Sequence, residues 1–356
     1  MRIFVSPLDW GLGHAARCIP LIRYLLEKKA EIVIGAEGAH LTFLKEYFPH
    51  LEYIEFPGYR ISYSSLFSAG IKVLSQVPQL VSAIKNEHVL VAQIIKEKKI
   101  DAVISDNRYG LWNRNVPCVI ITHQLNIQAA AGSSFLSWII YSYIKHFREC
   151  WIPDYEGEEN LSGVLSHPVP KGINGKYIGP LSRFGSPKDY YKKDKYDLLV
   201  ILSGPEPQRT KLEQLVLSQL KDLPHIKTVI LQGLLGAKRK DTGLPHVEMI
   251  PHVSDEEFHE KVMGSNIVLS RPGYSTLMDL SAIGWKKSIL IPTPGQTEQE
   301  YLGKLVQEKG IGISYPQKNF ILNKAIQQAG KLKPIQAIHG NSNYKKVVDD
   351  WLSQSH

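Results

Sequence analysis

Short runs rich in β-branched residues alternate with longer amphipathic segments along almost the whole of this sequence. Ile3–Pro7, Glu31–Ala36, Asp101–Asp106 and Cys118–His123 form one set of expected strands. Asp197–Ser203, Thr228–Gln232, Val247–Pro251, Asn266–Ser270, Ser288–Pro292 and Gly312–Tyr315 form a second. Between them, Ile19–Lys29, Val89–Lys99, Gln208–Lys221 and Gln299–Lys309 carry apolar residues at helical spacing. Continuous apolar strands separated by helices call for parallel sheets covered on both faces. Ligands of such sheets sit beyond the carboxyl ends of the strands, so function is to be sought in the loops there.

The two sets are separated by Gly179–Lys195, GPLSRFGSPKDYYKKDK, whose Gly, Pro and Lys content reads as a linker. At 356 residues the chain exceeds one ordinary core. The expectation is an α/β protein of two Rossmann-like, doubly wound parallel-sheet domains facing a cleft, over residues 1–180 and 196–340, with 181–195 as the linker. Residues 341–356 hold a helix, Asn343–Leu352, with no strand after it, which is expected to pack back across the junction.

A hydrophobic content of 43% with 21% charged residues belongs to a globular protein. Cys18, Cys118 and Cys150 are odd in number, far apart and form no CxxC. They imply a reducing compartment, with neither a disulfide framework nor a zinc site. The start, MRIFVSPLDW, reads as a strand rather than a signal peptide, and the apolar stretch Phe135–Ile144 is too short to span a bilayer. A cytoplasmic protein is expected. The net charge of +8 suits anionic lipid, nucleic acid or nucleotide phosphates alike. No zinc finger, RNP motif or continuous basic helix is visible, so nucleic acid is not an expected partner.

After the first strand comes Asp9-Trp10-Gly11-Leu12-Gly13-His14, then an amphipathic segment. Gly11 and Gly13 let the backbone turn tightly and free helix N–H groups to face a ligand. The spacing is not GxGxxG, so no dinucleotide site is indicated. His14, with an ordinary pKa of about 6.5, suits a general base taking a proton from a hydroxyl. The alternative is a histidine that only orders the loop. Asp9 is the neighbour available to orient the ring.

In the second half, Ser270-Arg271-Pro272-Gly273-Tyr274-Ser275-Thr276 runs from a strand into a helix carrying Asp279. Gly273 permits close backbone approach, and Ser275 and Thr276 place hydroxyls where the helix dipole favours a diphosphate. Asp279 can accept both hydroxyls of a ribose. Pro292-Thr293-Pro294-Gly295-Gln296-Thr297-Glu298-Gln299 is again strand, glycine turn and helix start, with Gln296, Glu298 and Gln299 suited to sugar hydroxyls. A third loop, Ser203–Arg209, offers Ser203 and Gly204 to the same edge. Each taken alone has the look of an ordinary strand–turn–helix.

Together these loops resemble the C-terminal domain of glycosyltransferase family 28, the family of the peptidoglycan UDP-GlcNAc:undecaprenyl-pyrophosphoryl-muramyl-pentapeptide transferase. Its Arg-Ser-Gly-Ala-Ser-Thr motif with an acidic residue three further on stands here as Arg271–Thr276 with Asp279. The resemblance implies the two-domain GT-B fold, ribose of UDP at Asp279, donor-sugar contacts at Glu298 and Gln299, and the base facing the main chain near His252 and Val253. In the first half, Gly11–His14 is similar to the family's Gly-Gly-His loop, His123-Gln124-Leu125-Asn126 to its His-Glu-Gln-Asn acceptor segment, and Ile178-Gly179-Pro180 to its Ile-Gly-Asn-Pro. These departures imply a different acceptor.

The expected protein is therefore a UDP-sugar-dependent glycosyltransferase moving a hexosyl or N-acetylhexosaminyl group to a cell-envelope glycan or lipid-linked acceptor. Its mechanism would be inverting and need no metal or cofactor, since no Asp-x-Asp stands at a strand end. His14 is the expected base, the second half the donor site, and Gly11, Gly13, Asp106, Asn107, His123 and Asn126 the acceptor side. Arg108 ends the same strand, and His123 is a second candidate base. Residues Ser134–Arg148, SFLSWIIYSYIKHFR, read either as a buried helix or as a peripheral contact with the inner face of the membrane. The rivals are a UDP-sugar hydrolase like that of the pseudaminic acid pathway, whose Gly-x-Gly-His loop is often followed by Arg as here at Arg17, and a non-catalytic nucleotide-sugar-binding protein. Ser134–Arg148 and the flexible-looking stretch Arg60–Gly70 favour a transferase, being more than a hydrolytic site needs.

Overall fold

The computed structural model describes residues 1–59, 70–126, 133–184, 195–284, 286–333 and 343–354. The stretch 60–69 and most of the expected linker, 185–194, lie outside them. The chain forms two compact units, Met1–Ser182 with Gly340–His356, and Arg183–His339.

The first unit is built on β1 (Arg2–Pro7), α1 (Leu12–Glu27), β2 (Glu31–Ala36), α2 (Gly38–Tyr47), β3 (Glu52–Glu55), α3 (Gly70–Lys98), β4 (Ala102–Asp106), β5 (Cys118–Ile121), α4 (Ser133–Ile144), β6 (Glu149–Ile152) and β7 (Gly175–Tyr177). All seven strands are parallel, in the order β3-β2-β1-β4-β5-β6-β7. Five of the six residues of β1 are buried, as a central strand covered on both faces requires. Gly35 in β2 admits the Phe4 ring, which a Cβ there would meet at 2.3 Å. All three cysteines are free and buried.

The second unit is built on β8 (Tyr196–Ile201), α5 (Gln208–Leu220), β9 (Thr228–Leu231), β10 (Val247–Ile250), α6 (Asp255–Met263), β11 (Ser265–Ser270), α7 (Tyr274–Ile283), β12 (Lys287–Leu290), α8 (Thr297–Glu308), β13 (Gly312–Ser314) and α9 (Leu322–Gly330). Its six strands are also parallel, in the order β10-β9-β8-β11-β12-β13. The Ser-x-x-Glu start of α6 is a complete capping box: Ser254 Oγ accepts from the Glu257 N–H at 3.2 Å, and the Glu257 carboxylate accepts from the Ser254 N–H at 3.1 Å.

The last helix, α10 (Tyr344–Ser353), belongs to the first unit. Trp351 lies edge-on to Trp151 of β6 with ring centroids 5.6 Å apart, and Asp349 accepts from Tyr24 of α1 at 2.8 Å and pairs with Lys28 at 2.8 Å. Asp349 thus carries a docking contact of α10 on α1. The apolar segment before β6 divides. Ile144 and Phe147 are buried in the core of the first unit, whereas Trp138 on α4 is 64% exposed.

Candidate functional site

In the first unit the chain runs from β1 outward through β2 and β3, then returns to β4 on the other side of β1. That reversal makes the ends of β1 and β4 a topological switch point, with Pro7 opposite Asp106. The glycine loop follows β1 here. Gly11, at φ +113, is the N-cap of α1 and has no side-chain cap. Its carbonyl instead accepts from His40 Nε2 of α2 at 2.9 Å.

His14 lies in the first turn of α1, and Arg17 one turn further on the same face. His14 Nδ1 is 3.0 Å from Asp106 Oδ1 at the end of β4. Arg17 grips the same carboxylate, Nε donating to Oδ2 at 2.6 Å and Nη2 to Oδ1. Arg17 Nη2 also stands 2.9 Å from His14 Nδ1, and Nη1 3.3 Å from His123 Nδ1 beyond β5. Asp106 is wholly buried and Arg17 and His123 nearly so, while 16% of the His14 side chain is accessible. Among the described residues no group bonds His14 Nε2, so that nitrogen is the one an incoming hydroxyl can meet.

Electrostatics follow the geometry. Burial works to raise the Asp106 carboxyl, but the Arg17 guanidinium and His14 outweigh it and hold it well below the usual carboxylate range. His14 is lowered from the ordinary histidine value, first by burial and then by the positive charge of Arg17, with Asp106 pulling the other way. His14 therefore stands uncharged at neutral pH, next to a carboxylate that is ionised.

Several expected acceptor contacts prove to be internal. Asp106 orients His14, the role expected of Asp9. Asp9 is turned away, its Oδ1 3.3 Å from the Tyr59 N–H and its carboxylate against Gly58. Asn107 adopts φ +57, and its Oδ1 accepts from Tyr109 and Thr122 hydroxyls at 3.1 and 2.9 Å. Arg108 is buried against Glu87 at 2.6 Å and the carbonyls of Pro7 and Pro57, with its guanidinium 4.5 Å from the Phe56 ring centroid. The Asn126 amide donates to the carbonyls of Val164 and Pro168 and accepts from Tyr141. These bonds use both amide hydrogens of Asn126 and leave its Oδ1 a single lone pair. His123 is buried against Arg17. Since a guanidinium only donates, His123 Nδ1 is the acceptor and its proton sits on Nε2.

In the second unit the switch point lies between β8 and β11, and the loops after β8, β11 and β12 end on three neighbouring strands. Arg271 is wholly buried and donates to the carbonyls of Ile291, Pro292 and Gln208 at 2.9, 3.1 and 2.9 Å, stapling all three loops. Burial lowers its guanidinium to about 10. Arg271 therefore braces these three loops through Nη1 and Nη2, while its Nε bonds nothing among the described residues.

Around this brace the described residues leave buried polar atoms unmatched: Ser270 Oγ, Arg271 Nε, Thr293 Oγ1, Gln296 Oε1 and Gln208 Oε1. Buried polar atoms are nearly always satisfied, by protein or by ordered water, and leaving one bare costs about 1–3 kcal/mol, so these atoms are open to water or to a ligand. Gly204 stands at φ +93, a conformation that favours glycine, with Thr293 Oγ1 in ordinary contact range. Neither Gly273 at the start of α7 nor Gln296 at the start of α8 supplies a side-chain cap, which leaves both helix N-termini suited to an anion. Gln299 Oε1 accepts from the Thr293 N–H at 2.8 Å, so this side chain offers a ligand its amide hydrogens. Ser203, Ser275, Thr276, Asp279 and Glu298 are half-buried around the same loops. His252 and Val253 follow β10, two strands from β8. Among the described residues no three His, Cys, Asp or Glu cluster to hold a metal ion.

Sequence reasoning singles out His14 and the three loops after β8, β11 and β12. It misses the partnership of Asp106 and Arg17 with His14, and His40 under Gly11. The available signal is Arg17 itself, a charge in the otherwise apolar run AARCIPLI.

Residues 199–349 match the glycosyltransferase family 28 C-terminal domain. An uncharacterized glycosyltransferase of Methanosarcina acetivorans is 24% identical over 393 aligned positions, covering 99% of this chain and 98% of the relative. Among solved structures, the glycotransferase of kitacinnamycin superposes with a TM-score of 0.66 at 13% identity, over 99% of this chain and 98% of the other. LpCGTa in complex with UDP superposes with a TM-score of 0.63 at 12% identity, over 99% of each. The family match, the full-length relative and two parallel-sheet units of this kind lead to one conclusion: the protein is a glycosyltransferase with the GT-B fold and a family 28 C-terminal domain.

Proposed function

We propose that the protein transfers a hexosyl or N-acetylhexosaminyl group from a UDP-sugar to a cell-envelope glycan or lipid-linked acceptor, by a metal-independent inverting displacement. The observation that carries this reading is the His14–Asp106 pair. A buried, ionised carboxylate holds Nδ1, leaving Nε2 of an uncharged imidazole free to accept a proton. The acceptor hydroxyl attacks the anomeric carbon as its proton passes to His14 Nε2. The new oxygen–carbon bond forms, the bond from that carbon to the diphosphate breaks, and UDP leaves with the electron pair. Gly11 and Gly13 let the acceptor approach the loop closely.

On the donor side the unmatched atoms of Ser270, Thr293 and Gln296 and the open starts of α7 and α8 support diphosphate binding. Asp279 takes the ribose, Gln299 and Glu298 the sugar, Ser203 and Gly204 flank the phosphates, and the backbone at His252–Val253 faces the base. UDP in the structurally similar LpCGTa is consistent with the uridine assignment. No helix among the described residues is long and apolar enough to cross a membrane. Exposed Trp138, followed by exposed Lys145 and Arg148, supports a peripheral station on the inner membrane face.

The test is to incubate the protein with a panel of UDP- and dTDP-sugars, with and without cell-envelope lipid or glycan extract, and follow nucleotide release and the fate of the sugar. Slow UDP release alone, accelerated by extract with the sugar joined to an acceptor, is expected. Rapid free sugar regardless of acceptor would make the protein a hydrolase. Nucleotide binding with no turnover would make it a binding protein.

A further inference from the structure

We propose that Arg17 is a positioning residue that sets the protonation state of His14, by occupying the Asp106 carboxylate with its fork while holding a permanent positive charge 2.9 Å from His14 Nδ1. The inference rests on His14 as the base and adds how that base is kept ready.

A histidine beside a buried carboxylate alone is drawn toward imidazolium, because the pair then becomes an ion pair. A base trapped in that form cannot take another proton. Here Asp106 already has a partner that never deprotonates, and both its oxygens accept from Arg17. The groups facing the ring are Arg17 from α1, Asp106 from the end of β4 and His123 from beyond β5. His40 from α2 holds the carbonyl of Gly11, and the Cys18 thiol sits 3.5 Å from Asp106 Oδ2. Of these, only Arg17 brings a fixed positive charge to the ring.

Nδ1 of His14 meets an acceptor and a donor at nearly equal distance, Asp106 Oδ1 at 3.0 Å and Arg17 Nη2 at 2.9 Å. The neutral ring satisfies one of them in either tautomer. With the proton on Nδ1 it donates to Asp106 and turns a lone pair outward at Nε2, the form able to act as base. With the lone pair on Nδ1 it accepts from Arg17. The imidazolium sets a second positive charge beside the guanidinium, 2.9 Å from its Nη2, so Arg17 opposes the charged ring and favours release of the proton after each turnover. The lowered titration of His14 agrees with this arrangement.

The experiment reads His14 directly and needs no substrate. Protein labelled with 13C and 15N in its histidines is titrated by NMR, with His14→Gln assigning the resonance and the ring nitrogen shifts reporting the tautomer. In the unaltered protein His14 is expected to titrate below the ordinary value of about 6.5. In Arg17→Gln the midpoint should rise by about one pH unit or more, because Asp106 then acts on the ring unopposed. Arg17→Lys, which keeps the charge, should stay near the unaltered value. Should Arg17→Gln not fold, the unaltered protein still decides: a His14 that is imidazolium at pH 6.5 overturns the proposal. So does an Arg17→Gln midpoint equal to that of the unaltered protein. Turnover that survives His14→Ala would instead remove the base assignment and leave the titration result standing, so the two failures are told apart.

Discussion

The two units use one architecture and finish its switch point in opposite ways. In the first, the buried charged groups beside the switch point are paired: Asp106 holds Arg17 and His14, and Glu87 holds Arg108 and Tyr59. In the second, Ser270, Thr293, Gln296 and Gln208 keep buried polar atoms unmatched, and two helices start without side-chain caps. A saturated network fixes one side chain in one protonation state, as proton transfer requires. An unsaturated one reserves its hydrogen bonds for a ligand. The first unit should therefore respond to mutation through rate and stability, the second through affinity.

The sharpest break between them is His14→Ala. Turnover should fall about 100- to 10,000-fold, as expected for a positioned base, while UDP affinity by calorimetry stays unchanged. Loss of affinity in step with rate would dissolve the division of labour. Next in size is Asp106→Asn, which leaves Arg17 buried without its anion and should cost about 3–5 kcal/mol of stability by denaturant titration. The sign with pH is definite. Asp106 titrates lower in the folded protein than in the unfolded chain, so its contribution is complete above about pH 4 and fades as pH drops further. The gap between the unaltered protein and Asp106→Asn should be full at pH 7 and narrow below pH 4.

In the second unit, Asp279→Asn should weaken UDP binding by about 1.5–3 kcal/mol, the value of a hydrogen bond to a charged group, as read by calorimetry. Unchanged affinity would move the ribose elsewhere. The smallest effect is the most diagnostic. Thr293→Val removes a hydroxyl that has no partner in the free protein, so unliganded stability should hold or rise slightly while UDP affinity drops by about 1 kcal/mol. Destabilisation of the free protein would mean that Thr293 is already satisfied and that the contrast is weaker than drawn.

Much of the fold is legible because the central strands are uninterrupted apolar runs. The strands missed from sequence, β3 as EYIE, β6 as ECWI and β7 as GKY, are three or four residues long and carry charges or glycine. In β6 the charge is tolerable through one near partner and one distant one, since buried Glu149 accepts from Trp151 Nε1 at 2.7 Å in the same strand and from Lys176 of β7 at 2.6 Å. The site divides in the same way. His14 announces itself through local glycines, but its partner Asp106 lies 92 residues away. The two meet because β4, not β2, covers the second flank of β1, a pairing that sequence order does not reveal. Asp9, the near neighbour in sequence, accepts from the Tyr59 N–H instead. For Arg271 a motif gives the position but not the three carbonyls that its guanidinium braces.

The docking of α10 on the first unit has a consequence for synthesis. The chain leaves that unit after Ser182, builds the second unit in full, and only then supplies the helix whose Trp351 covers Trp151. On the ribosome the second unit is therefore an insertion that can fold while its host is still open. The first unit must wait, its apolar β6 face uncovered, until the ribosome has passed the whole of its neighbour. The order of completion is the reverse of the order in which the two units begin, and the interval between them is when a nascent chain of this protein is most exposed to aggregation.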